Sequence, residues 1–139
     1  METIIPVTLV KKQEGGRFEI YCSVAFADDC PPSLLRLAST WNAARSFSGV
    51  LQETAEAVHE RAHKTDDVSE ATIDVRLVRE KEGNGSHGRW EAYCSAEFPA
   101  ECPRWLTGWL SGRQMANDCG TLICREAERV MRARKSAAQ

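Results

Sequence analysis

His59-Glu60-Arg61-Ala62-His63 contains the residue types that can hold a metal ion and activate its water. On a helix, positions i and i+4 share a face one turn apart, so His59 and His63 would ligate zinc while Glu60 took a proton from the bound water. Six cysteines form the other reactive set. Cys22, Cys30, Cys94 and Cys102 fall in two pairs of equal spacing, which a pseudo-twofold could gather as four thiolates around zinc. Paired zinc ligands are usually only about two to four residues apart, which favours buried free thiols over metal, with intra-repeat disulfides as a further alternative. Cys119 reads as core and Cys124 as the exposed, reactive thiol.

The five-residue string resembles the zincin metalloprotease motif. That resemblance implies a zinc-dependent hydrolase with His59 and His63 as ligands and Glu60 as base. The chain departs from it at Arg61 and Lys64, where that family usually has uncharged residues, and no third ligand is evident. No Gly-rich phosphate loop leads into a helix, and no Gly-x-Ser-x-Gly elbow is present. Zinc hydrolysis therefore stands as the alternative to a non-catalytic chain that needs no cofactor.

The elements that would position these groups occur twice. Tyr21-Cys22-Ser23 through Phe26 to Cys30-Pro31 returns as Tyr93-Cys94-Ser95 through Phe98 to Cys102-Pro103. Ile5, Val7 and Leu9 alternate with less apolar neighbours, as in a half-buried strand, and Ile73, Val75 and Leu77 match them. Gly15-Gly16 supplies a hairpin turn. In the next strand Phe18, Ile20, Cys22, Val24 and Phe26 face the core, matched by Trp90, Ala92, Cys94, Ala96 and Phe98. The four extra residues of the second copy fall within Gly83-Asn84-Gly85-Ser86-His87-Gly88.

Each hairpin is followed by a helix pair. Ser33 caps a short helix with stripe Leu34, Leu37, Ala38 and Trp41, and Ser46 caps a longer one with stripe Phe47, Val50, Leu51, Thr54, Ala55 and Val58. In the second copy Leu106, Trp109 and Leu110 form the short stripe, and Asp118 replaces Ser46 as cap. The polar stretch Thr65 to Ser69 links the copies. The expectation is an α+β fold: a tandem duplicated β-β-α-α unit, residues 1–68 and 69–139, forming one domain with a shared core. Its four-stranded antiparallel sheet would carry the helices on one face and a pseudo-twofold between halves.

The chain has 139 residues and a net charge of −2. That balance argues against wholesale neutralisation of phosphates. It is uneven, with a net of −3 over residues 1–68 and +1 over 69–139. The basic surplus gathers in the last helix at Arg125, Arg129, Arg132, Arg134 and Lys135, which makes nucleic-acid binding through that helix a second alternative. No stretch approaches the roughly 20 apolar residues of a membrane helix, and no basic and apolar leader opens the chain, so a cytoplasmic protein is expected.

Binding residues are sought where tryptophan, tyrosine and arginine reach the surface. Trp105 with Arg104 and Arg113 is one such group, Arg125, Arg129 and Arg132 another, and Tyr21 and Tyr93 on the open sheet face a third. Trp41 and Trp109 are assigned to the core. The function expected is a protein-interaction module whose duplication supplies two unequal faces, with the sheet or an edge strand open to dimerisation. In size and style it resembles the small α+β accessory proteins of phages and mobile elements. Some of these inhibit host defence complexes such as CRISPR effectors.

Overall fold

The structure, a computed structural model, describes residues 1–62, 68–82 and 89–138, without the side chains of Glu14, Glu82, Arg89 and Trp90. Strands β1 (Glu2–Glu14) and β2 (Arg17–Val24) are followed by helices α1 (Pro32–Ala38) and α2 (Trp41–Val58). The order returns as β3 (Glu70–Glu82), β4 (Arg89–Glu97), α3 (Arg104–Leu110) and α4 (Arg113–Ala137). The four strands form one antiparallel sheet in the order β2-β1-β3-β4, giving an α+β fold. Most of the interrepeat linker, the Gly83 to Gly88 stretch and His63 lie outside the described residues.

The registers of the two hairpins correspond. Leu9 faces Cys22 in the first and Leu77 faces Cys94 in the second. Between them Ile5 pairs with Val75 and Val7 with Ile73, about a centre at Pro6 and Asp74. Pro6 also explains a difference in length. In an antiparallel strand a residue's N–H and C=O point to the same neighbour, and the Pro6 carbonyl accepts from Ala25 N at 3.2 Å. Proline has no N–H to return, so the ladder stops there and β2 ends at Val24. Asp74 has its N–H, and β4 keeps the corresponding pair, Asp74 with Glu97.

One sheet face is buried. Ile5, Val7 and Leu9 of β1 and Ala71, Ile73, Val75 and Leu77 of β3 lie in the same core cluster as Leu34, Leu35, Phe47, Leu51, Leu106, Leu110 and Ile123. The central strands are covered completely and the edge strands only in part. Phe18 departs from its expected place, being 62% exposed. It sits beside the Gly15-Gly16 turn, where both glycines take positive φ, and its ring meets the Lys11 ammonium at 4.2 Å in place of the core.

The long helices start earlier than expected. Thr40 caps α2, its hydroxyl accepting from Ala43 N at 3.1 Å, so Ser46 lies inside the helix and donates to the Asn42 carbonyl. Asp118 is likewise interior, because α4 begins at Arg113 after Gly112. Ser33 does not cap α1; Pro31 precedes that helix, and the Ser33 hydroxyl points to Met1 Sδ.

The halves are covered crosswise. α2 of the first half packs on α3 and β4 of the second, while α4 packs on α1 and β2 of the first. The long helices meet at small residues: Ala43, Ala44 and Ser48 of α2, Ala116 and Gly120 of α4 are all buried. Any Cβ on Gly120 would lie 2.4 Å from the Ala44 carbonyl oxygen, so the approach requires glycine. Beside it the Ser48 hydroxyl donates to Asn117 Oδ1. Among the described residues no helix is long and apolar enough to cross a membrane.

Candidate interaction surface

The His59 region does not have the helical frame a zinc pair needs. α2 stops at Val58, His59–Arg61 is a single 3-10 turn, and Ala62 is extended at φ −71 and ψ 143. The one-turn spacing from His59 to the next histidine is therefore not carried by a continuous helix. His59 Nδ1 instead lies 2.7 Å from Thr107 Oγ1, and that hydroxyl donates in turn to the Arg104 carbonyl. Thr107 is wholly buried, so the imidazole joins α2 to α3 and Glu60 points to solvent. Among the described residues no group of three or more His, Cys, Asp or Glu side chains stands ready to hold a metal ion.

The cysteines separate by environment. Cys30 and Cys102 are buried at the strand-to-helix corners, each thiol directed to the carbonyl of the proline that follows. Burial pushes the Cys102 thiol up to about 11, and raises Cys94 as well. Cys124, expected from sequence to be the exposed thiol, is only partly exposed. Its sulfur donates to the Ser39 carbonyl at 2.9 Å, and burial together with Glu128 raises its pKa. Cys22 stands 3.5 Å from Cys119, a pair that no sequence spacing suggests.

The expected surface residues are dispersed. Trp105 is half-buried against the core, and its indole Nε1 donates to the Val68 carbonyl at 2.7 Å, tying α3 to the entry of β3. Arg104 begins α3 with its Nε buried and without an acceptor. Tyr21 and Tyr93 are both exposed but stand on opposite edge strands and far apart along them: Tyr21 pairs with Val10, which pairs with Glu70 of β3, whereas Tyr93 pairs with Val78 of β3, so about 30 Å separates them. Tyr21 donates to Glu19 at 2.7 Å with the Lys12 ammonium over its ring.

The basic face of α4 is largely occupied by its own partners. Arg129 pairs with Glu126 at 2.6 Å and Arg132 with Glu128 at 3.9 Å. Arg134 reaches across to the first half and donates to the carbonyls of Cys30, Asp28 and Ala27 at 2.7, 2.8 and 3.3 Å. This closes the loop between β2 and α1 with three charge-assisted bonds.

One surface concentrates what a binding site needs. Trp41, assigned to the core by sequence, is 71% exposed. Because Thr40 is the cap, Trp41 is the first residue of α2 and lies ahead of the point where α4 crosses at Ala44. Arg45, one turn on, stacks over the indole with its guanidinium carbon 4.9 Å from the ring centroid. Arg113, at the start of α4, lines the same groove of about 520 Å³ together with Asn117 and Thr121. Two guanidinium groups and no carboxylate line this groove. The Ser39-Thr40 pair is the signal that could have located it, since a hydroxyl residue just before the tryptophan is a helix start.

Compared with known protein families, curated proteins and solved structures, the chain matches none.

Proposed function

We propose that the chain is a non-catalytic protein-interaction module that engages an acidic surface of a partner protein through the Trp41, Arg45 and Arg113 groove. The observation that carries this reading is Trp41 standing 71% exposed with Arg45 stacked on its ring. A large aromatic side chain left in water contributes nothing to the core, and stacking with arginine holds it in one orientation before binding. Tryptophan and arginine are the residues most enriched where binding energy concentrates, because each offers wide apolar contact together with directed polar groups. The positive lining selects a partner surface rich in carboxylates. An inhibitor of a host defence complex, the kind of protein suggested by size and style, would use such a face to cover a partner without turning over a substrate.

Affinity capture from the native host, with wild-type protein and the Trp41→Ala variant side by side, tests the reading. A partner retained by the wild type should be lost or weakened by a factor of about 30, the scale of one binding hot spot. Its release should sharpen as salt rises, because the groove charges are exposed and screened. Identical retention by both proteins would overturn the assignment.

A further inference from the structure

Cys22 and Cys119 lie 97 residues apart in sequence and 3.5 Å apart in space, on β2 and α4. They line a surface cavity of about 350 Å³ with Trp109, Asp118, Leu122 and Arg125. Cys119 is buried, and Cys22 is only partly covered and open to that cavity. The residues 72 positions away meet around a second cavity, where Cys94 and Phe47 take the places of Cys22 and Cys119. The thiol pair is thus peculiar to one of two corresponding sites. A thiol was not required to fill the space, since phenylalanine fills its counterpart. We infer that Cys22 and Cys119 form an oxidisable dithiol site, converted by a small peroxide into a disulfide that joins β2 of the first half to α4 of the second.

The chemistry follows from the arrangement. The Cys119 thiol donates a hydrogen bond to the Cys22 sulfur, which holds the Cys22 pKa below the usual thiol range, while that bond, burial and Asp118 raise Cys119. Cys22 is therefore the more acidic of the two thiols, and its ionised form is the attacking sulfur. Its electron pair forms a bond to one oxygen of hydrogen peroxide, the O–O bond breaks, and the leaving hydroxide takes up the proton that Cys22 released to solvent on ionising and becomes water, giving the Cys22 sulfenic acid. The Cys119 sulfur then attacks the Cys22 sulfur. The S–S bond forms, the S–OH bond breaks, and the departing hydroxide takes the Cys119 proton as a second water. Two thiols lose two electrons in total and one peroxide is reduced to two waters. The sulfurs need only close from 3.5 Å to bonding distance, a shift of about 1.5 Å.

The site is independent of the Trp41 groove, and its test needs only the reduced 139-residue chain. The protein is treated with hydrogen peroxide, remaining thiols are blocked by alkylation, and peptides are mapped by mass spectrometry without reductant. The expected product is a peptide pair linked through Cys22 and Cys119, absent after dithiothreitol, with the other four cysteines alkylated. In the Cys119→Ser variant the reaction should stop at a sulfenic acid on Cys22, trapped by dimedone. Because that variant alters a core position, the wild-type map is the deciding result. Full alkylation of Cys22 and Cys119 after peroxide, or earlier oxidation of Cys124, would overturn the inference.

Discussion

Cys102 shows how a buried thiol makes the fold sensitive to alkali. Its pKa is raised from an ordinary 9.0 to about 11, so the folded state holds the proton more tightly than the unfolded chain does. The stability this gives is complete below pH 9 and is lost as pH rises towards about 11. The thermal midpoint should fall over that window, and Cys102→Ala should reduce the slope. Cys22 has the opposite shift and should react with iodoacetamide at neutral pH before Cys102 and Cys124, as competitive alkylation would show. The tryptophans give a second contrast at this scale. Trp41→Ala should leave stability within about 0.5 kcal/mol while weakening partner binding. Trp105→Ala should cost about 2–3 kcal/mol by urea denaturation, since it removes a half-buried ring and leaves the Val68 carbonyl without its donor. Sequence placed these two residues the other way round. Position on a helical stripe says which side of a helix a residue takes, and the neighbouring helix decides whether that side is covered.

At the scale of elements, the close passage of α2 over α4 is the most demanding contact. Gly120→Ala places a methyl against the Ala44 backbone and should cost about 1–3 kcal/mol, with a lower urea midpoint at unchanged slope. Periodicity in the sequence located the long helices and the buried positions Phe47, Leu51 and Ala55 of α2, while Ala43, Ala44 and Ser48, buried where α4 crosses, lie outside that stripe. It set their starts too late, because Ser46 and Asp118 are capping types and stand near a stripe. Thr40 won as cap of α2 through its bond to Ala43 N. The histidine motif was legible as letters, yet a motif read at helical spacing needs a helix, and α2 had already ended at Val58.

For the whole molecule, the crosswise cover means that neither half keeps its own hairpin dry. β1 and β3 pair at the centre of the sheet, and the helix over each edge strand comes from the other half. Residues 1–68 or 69–139 expressed alone should show no cooperative unfolding transition by circular dichroism, whereas the full chain should show one. Arg134, which fastens α4 to the turn after β2, belongs to the same arrangement; Arg134→Ala should lower stability by about 1–2 kcal/mol.

The repeated strand pattern, the Gly15-Gly16 turn and the apolar helix stripes determined by themselves that this chain builds two hairpins and two helix pairs around an apolar layer. Those signals are local, arising from a backbone period of two or 3.6 and from residues that break it. Tertiary structure alone decided that Cys22 meets Cys119, that His59 bonds to Thr107, that Arg134 binds the opposite half, and that Trp41 stays in water. Each joins or leaves apart residues on separate elements, and their distance is set by how the helices cross the sheet, which no spacing along the chain encodes.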